Sequence, residues 1–102
     1  METNNFERWL PAAFNPGFEV SDFGNVRFVD SKELCELRKG ADGFIYANLD
    51  LPVHYLVAGT WQPHLTGEKL VEGKFKVKHI DGDTTNNQYD NLFAYMPQLT
   101  LF

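Results

Sequence analysis

The sequence predicts a small α+β domain, in which an antiparallel β-meander is followed by a short helix and a further β-hairpin. Three observations support this class. Apolar and polar residues alternate in several short segments, as they do in half-buried strands. Glycine, asparagine and aspartate separate these segments, and one segment that follows a proline carries apolar residues at helical spacing. The 102 residues, 43% of them apolar, suffice for one compact core, with or without a small appendage.

The first predicted element is a β-hairpin near the N-terminus. Its two alternating segments, 18–20 and 26–28, flank a turn segment, 21–25. That turn supplies Gly24 and Asn25, which tolerate positive φ. The pattern predicts two antiparallel strands joined by a tight turn.

A second pair of strands is predicted over Leu34–Arg38 and Phe44–Leu49, separated by a turn that contains two glycines. The first of these segments has an alternative, a short helix over 30–38. Asp30 and Glu33 have the spacing of a capping box, which favours that helix. We favour the meander, because turn residues flank both segments.

One short helix is predicted to begin at Pro52, which suits the first turn of a helix because it lacks an amide hydrogen. Val53, Leu56, Val57 and Trp61 then fall on one helical face. A single histidine near such a face, His54, is predicted to be a packed and hydrogen-bonded side chain rather than a ligand.

After a polar loop over 62–73, residues 74–80 alternate strictly and predict a strand. One face would carry the lysines and the other the apolar residues and a histidine, that is, Lys74, Lys76 and Lys78 against Phe75, Val77 and His79. A turn over 81–83 and a polar loop to Asp90 lead to a short strand over 91–95.

Charge and composition narrow the possible functions. Nine basic residues against fourteen acidic ones give a net charge of -5, so the whole chain does not attract polyphosphate or anionic membrane. No segment resembles a signal peptide or a membrane span, so we expect a soluble, cytoplasmic protein. The lone Cys35 excludes an internal disulfide and a cysteine-rich zinc site, and we predict that it packs in the core.

Two blocks of sequence resemble the HNH homing endonucleases of phages and introns. The first is Trp9 followed by GFEVSDFGNVR over 17–27, which is similar to the N-terminal GYEVSxxGxVR module of those proteins. The second comprises VHYLVA over 53–58 and KHIDGDTTNNQYDNL over 78–92, similar to the VHRLVA and DHIDGxxxNNxxxNL segments. The resemblance covers most of residues 9–92 and implies that the second hairpin is a truncated HNH-like β-hairpin unit.

The resemblance implies metal-assisted phosphodiester cleavage, with His79 as general base and Asn91 as the residue that orients its imidazole. Two departures from the family pattern argue that this site is vestigial. Lys78 stands where the family has an acidic metal ligand, and its ammonium repels cations. Ten residues follow Leu92 and include Pro97, which leaves little room for the helix that carries the remaining ligand.

The sequence therefore predicts no metal and no other cofactor, with Mg²⁺ needed only if the protein is an active nuclease. Asp81 and Asp83 are two carboxylates in one turn that could hold a divalent ion. We favour a structural role in the turn, which is the commoner one.

The last five residues, Gln98, Leu99, Thr100, Leu101 and Phe102, resemble the QLxLF peptide with which bacterial polymerases and repair proteins bind the replicative sliding clamp. A glutamine hydrogen-bonds at a pocket rim, and the leucines and phenylalanine insert into an apolar cleft. The alternative is that these apolar residues form a last edge strand on the protein's own core.

DNA contact would depend on a small basic patch of Arg27, Lys74, Lys76 and Lys78. Phosphate contacts scale with the number of such cations on one surface, so we expect weak, salt-sensitive binding. The alternative for the lysines is a solvated strand face that resists edge pairing.

Three units follow: an N-terminal β-rich module over 1–51, a degenerate HNH-like unit over 52–97 and a clamp-binding peptide over 98–102. The predicted function is that of a nuclease-deficient phage or mobile-element protein that binds the sliding clamp. Clamp binding would either inhibit host replication or recruit the protein to replicating DNA. The alternative is an active nicking or homing endonuclease, with metal held by Asp81, Asp83 or a partner subunit. A third hypothesis is an inhibitor that mimics a domain of a host defence nuclease.

Overall fold

The structure is a computed structural model, and it describes residues 6–13, 15–48, 50–61 and 76–95. Within these residues, three small antiparallel sheets surround one helix. The predicted α+β class, a β-meander followed by a short helix and a β-hairpin, is confirmed.

The first sheet has the order β1-β2-β3, with β1 at Trp9–Pro11, β2 at Phe18–Ser21 and β3 at Val26–Phe28. The predicted hairpin is its β2–β3 pair, in which Val20 lies opposite Val26. The turn depends on Gly24, whose φ is +96°. The sequence did not predict β1, because a three-residue strand that contains a proline has almost no alternating pattern.

The second sheet consists of β4 at Leu37–Lys39, β5 at Ile45–Ala47 and β6 at Leu51–Pro52. Both interpretations of residues 30–38 need correction. The strand begins later than predicted, and the helix is absent because Lys32 has a left-handed φ of 63°. The preceding backbone instead pairs with β3, where the Cys35 amide donates to the Val26 carbonyl oxygen at 2.8 Å.

The helix α1 spans Val53–Trp61. Pro52 ends β6 rather than occupying the first helical turn, so the predicted start was one residue early. The predicted apolar face is confirmed in Val53, Leu56 and Val57, which are buried, and Trp61 is half-buried. Small residues extend the buried surface around the helix, because sheets pack on several sides of it.

The third sheet is the hairpin of β7 at Lys76–His79 and β8 at Leu92–Tyr95. The predicted alternation holds over the described part of the strand, since the lysines of β7 are exposed and His79 is buried. Lys74 and Phe75 lie outside the described residues, as does the predicted loop over 62–73. Asn91 belongs to a 3₁₀ turn at Tyr89–Asn91, so β8 begins one residue later than predicted.

One apolar core joins all three sheets to the helix. Its most buried members come from both sides of the predicted boundary at residue 51, including Val20, Val26, Ala47, Val57 and Leu92. Cys35 belongs to this core, which confirms its predicted packing role. Across the described ranges, no helix has the length and apolar character needed to cross a membrane.

Candidate functional site

The centre of the candidate site is His79, the last residue of β7. Its side chain is 7% exposed, because β7 turns its alternate residues toward α1. The imidazole Nε2 lies 2.8 Å from the Asn87 side-chain oxygen Oδ1. With Oδ1 as acceptor, Nε2 carries the hydrogen and Nδ1 keeps a lone pair. This is the tautomer that a neutral histidine needs to accept a proton through Nδ1.

Asn87 is itself held by the N-terminal hairpin. It is buried, and a Cβ atom built on Gly24 would lie 2.9 Å from its carbonyl oxygen. The next contact along the chain is a hydrogen bond of 2.9 Å from the Tyr89 amide to the Asp22 carbonyl oxygen. The turn of the first sheet therefore supports the loop that orients His79.

Two aromatic groups enclose the histidine from the other side. His54 of α1 stacks on Phe44, with 4.5 Å between ring centroids, and lies 5.5 Å from the His79 ring. The prediction that His54 is packed is confirmed. The predicted hydrogen bonding is not found at its Nδ1, which is buried and has no hydrogen-bond partner among the described residues.

The pKa of His54 is lowered from 6.5 to about 4, chiefly because a buried, charged imidazole would lose its hydration. Repulsion from His79 contributes to this lowering, and attraction to Asp42 partly offsets it. His54 is therefore neutral at pH 7.

Asn91 does not make the contact predicted for it. Its side-chain Nδ2 donates to Asp81 Oδ1 at 2.9 Å and to the Asn86 carbonyl oxygen at 2.9 Å. Its Oδ1 accepts from the Asp81 amide at 3.0 Å. The interpretation of Asn91 as the residue that orients His79 by a hydrogen bond needs correction, because Asn87 fills that role and Asn91 closes the loop.

Both carboxylates of the turn are used within the loop. Asp81 accepts hydrogen bonds from Asn86, from the Asp83 amide and from Asn91, and these bonds lower its pKa. Asp83 accepts from the Thr85 hydroxyl at 2.7 Å and from the Thr85 amide at 3.0 Å, which lowers its pKa as well. The arrangement is that of successive Asx turns, in agreement with the structural role favoured from the sequence.

These residues do not fit the metal centre that the resemblance implies. Lys78 directly precedes His79, where the resemblance implies an acidic ligand, and its ammonium has no lone pair with which to coordinate a cation. Both oxygens of Asp81 and the Oδ1 of Asp83 already accept hydrogen bonds from the loop. Among the residues that the structure describes, no three His, Cys, Asp or Glu side chains lie together as a metal site would require.

The residues predicted to contact DNA do not all lie on one element. Lys76 and Lys78 are exposed neighbours on one face of β7. Arg27 lies on β3 of another sheet, where its Nε donates to Glu19 Oε1 at 2.7 Å and its guanidinium covers the Trp9 ring. The charge of Arg27 is therefore partly neutralised. Lys74 and the predicted clamp-binding residues lie outside the described residues.

The architecture matches a solved structure titled "DNA binding and cleavage by the HNH homing endonuclease I-HmuI", with a TM-score of 0.65 and 27% sequence identity. The chain has an HNH-like fold. The match covers 87% of this chain and 52% of that one, so this HNH-like chain spans about half the length of its structural neighbour. No protein-family model matches the sequence, and no curated protein matches it.

Two members of the HNH-like site had no assigned role in the sequence. Asn87 is one of two adjacent asparagines in the NN segment of the motif, and the pattern does not distinguish which of them faces the histidine. Phe44 precedes an ordinary strand far from His79 along the chain. Only the packing of β5 and α1 brings it to the site.

Proposed function

We propose that this chain is a DNA-associated protein of HNH-like fold that does not cleave DNA and that docks on the bacterial replicative sliding clamp through Gln98–Phe102. The absence of DNA cleavage is proposed from the residues that surround His79. A lysine precedes the histidine, and the nearby carboxylates are committed to the loop. The fold is thus kept while the ligands of a cation are missing from the described part of the site.

The clamp docking rests on the chemistry of the tail. Gln98 offers both a donor and an acceptor. The apolar area that drives insertion into a cleft comes from Leu99, Leu101 and Phe102. A short peptide of this kind binds in an extended form and orders on its partner. The proposal places the protein in the cytoplasm of a bacterium, with a phage or other mobile element as its source.

Calorimetric titration of bacterial sliding clamp tests this docking. We expect the full chain to bind with a dissociation constant of about 1 μM or tighter, roughly -8 kcal/mol. Deletion of residues 98–102 should abolish the binding heat, and Phe102→Ala should weaken binding at least tenfold. Thr100→Ala is the matched control, because the middle position faces no specific requirement. Equal binding by the full chain and the deletion variant would refute the docking.

The consequence of docking is replication inhibition if the peptide occupies the cleft that host polymerase uses. A clamp-dependent primer-extension reaction should slow in proportion to added protein and recover with the deletion variant. Unchanged synthesis at saturating protein would show that docking recruits the protein to DNA without inhibition.

An active nicking endonuclease is the second candidate, and one observation favours it. When the Asn87 Oδ1 accepts the hydrogen bond from Nε2, the Nδ1 of His79 keeps the lone pair that a general base requires. The protein would then need its metal ligands from outside the described residues.

Supercoiled plasmid incubated with Mg²⁺ or Mn²⁺ distinguishes the two candidates. The main proposal expects no conversion to the nicked form. Nicking that disappears in His79→Ala but persists in the deletion variant of residues 98–102 would establish the nuclease instead.

A further inference from the structure

The outer surface of the β7–β8 hairpin combines two cations with two exposed aromatic rings. In the register of the pair, Lys76 lies opposite Tyr95 and Lys78 opposite Phe93. Directly opposed residues of antiparallel strands project to the same face of a sheet. We call these four residues the aromatic-lysine face. His79 and Ala94 project to the opposite side, toward the core.

Both rings of this face are partly exposed. Phe93 is 47% exposed and Tyr95 is 41% exposed. Their planes differ by only 14°, with ring centroids 6.1 Å apart. Two nearly parallel rings at this separation offer successive π-surfaces to a chain of flat groups.

The charge of the face is also available. Arg8, Arg27 and Lys32 each pair with an acidic side chain on the first sheet. Within the described part of the chain, neither Lys76 nor Lys78 lies within ion-pair distance of an acid, and no member of the face is acidic. The face is therefore a local positive surface on a chain whose net charge is -5.

We propose that the aromatic-lysine face binds single-stranded DNA, with bases stacked on Phe93 and Tyr95 and phosphates held by Lys76 and Lys78. Base stacking on aromatic rings beside a cationic track is how proteins bind single strands without reading sequence. A duplex hides the flat faces of its bases, so it would use the lysines and leave the rings without a partner. An acidic peptide would do the same.

This inference rests on the proposed DNA contact of Lys76 and Lys78 and adds the form of DNA that the face recognises. It does not depend on clamp docking, which involves other residues. The variant that lacks residues 98–102 should therefore keep its single-strand binding.

Fluorescence anisotropy tests the inference, with a fluorescein-labelled oligothymidylate about 12 nucleotides long, a length within the site sizes of single-strand-binding folds. The same strand annealed to its complement serves as the duplex probe. We expect tighter binding of the single strand. Phe93→Ala or Tyr95→Ala should weaken that binding roughly fivefold to a hundredfold, and Phe6→Ala, at an exposed ring before β1, should leave it unchanged.

Two further arms keep the test decisive. Phe93→Leu and Tyr95→Leu retain an apolar side chain and the hairpin but lose the ring, so they should lose binding while the circular dichroism spectrum stays unchanged. Replacing Lys76 and Lys78 by Gln should reduce the slope of log affinity against log salt by about 0.7 for each lysine. Lys39→Gln, at an exposed lysine of β4, is the matched control.

Ring variants that bind the oligothymidylate as tightly as the unaltered protein would overturn the inference. Tighter binding of the duplex, with sensitivity to the lysines alone, would overturn it and leave the proposed DNA contact standing. Absence of binding to either probe would refute both. Binding of a polyglutamate peptide in preference to either DNA would replace nucleic acid with an acidic protein partner.

Discussion

The burial of His54 should make the stability of the protein depend on pH. Its folded-state pKa of about 4 lies below the usual 6.5, so the unfolded chain takes up the proton first as the pH falls. We expect the contribution of His54 to stability to be complete above about pH 6.5 and to decrease as the pH falls toward 4. The shift corresponds to a loss of roughly 3 kcal/mol in the free energy of unfolding.

Replacing His54 by Phe should remove this loss. The substitution keeps a flat ring against Phe44 and eliminates the unpartnered Nδ1 atom. Urea unfolding at about pH 7 and about pH 4.5, near the two ends of the transition, measures the free energy of unfolding. Its difference between the two pH values should be smaller in the variant. An identical pH dependence in both proteins would contradict the assignment of the acid response to His54.

At the scale of the elements, the loop between β7 and β8 is held by side chains rather than by a regular turn. Asn91 makes three hydrogen bonds within that loop and is 9% exposed. Asn91→Ala should destabilise the protein by about 2 to 4 kcal/mol, because it leaves the Asp81 amide and the Asn86 carbonyl oxygen without these partners. Chemical unfolding measures the change.

Asp90→Ala is the control for that prediction, because Asp90 is an exposed neighbour in the same 3₁₀ turn. We expect its effect on the free energy of unfolding to stay within about 0.5 kcal/mol. Equal effects of the two substitutions would mean that the hydrogen bonds of Asn91 do not hold the loop.

The elements that could be predicted are those with a strong local signal. The β2–β3 hairpin and α1 have clear alternation, turn residues or helical spacing, and their positions agree closely with the structure. The strands β1 and β6 have two or three residues and include a proline, so their pairing depends on neighbours distant in sequence. The backbone near Lys32 also escaped prediction, since its left-handed φ serves the pairing with β3.

At the scale of the whole molecule, Gly24 couples the first sheet to the candidate site. Its φ of +96° disfavours any side chain, and a Cβ atom there would lie 2.9 Å from the Asn87 carbonyl oxygen. Gly24→Ala should destabilise the protein by about 2 to 4 kcal/mol, since backbone strain and overpacking add. It should also displace Asn87 and change the imidazole ¹⁵N chemical shifts of His79 in NMR spectra.

Gly17→Ala separates the two causes. Gly17 has a φ of +110°, and a Cβ atom there meets nothing within 4 Å. The Gly17→Ala variant should lose about 1 to 2 kcal/mol in the free energy of unfolding, from backbone strain alone. The chemical shifts of His79 should stay unchanged. Equal changes, or no change, in the His79 imidazole ¹⁵N chemical shifts of both variants would disprove the coupling between the first sheet and His79.

The candidate site was predictable only in part, because some of its contacts join segments that are distant in sequence. His79 follows from the motif, because the motif is continuous in sequence. The residue that hydrogen-bonds to it does not, since Asn87 and Asn91 are chemically equivalent and only the path of the loop decides between them. Phe44 and Gly24 reach the site through packing of distant segments, and no local pattern reports such contacts.

The support of Asn87 by the first sheet also means that the site is completed late during synthesis. The hairpin that contains Gly24 leaves the ribosome before α1 and β7, whereas Asn87 and Tyr89 emerge after them. Contacts between segments so far apart require closure of a long loop, which slows folding. The nascent chain therefore displays an incomplete histidine pocket until nearly all of the described residues have been translated.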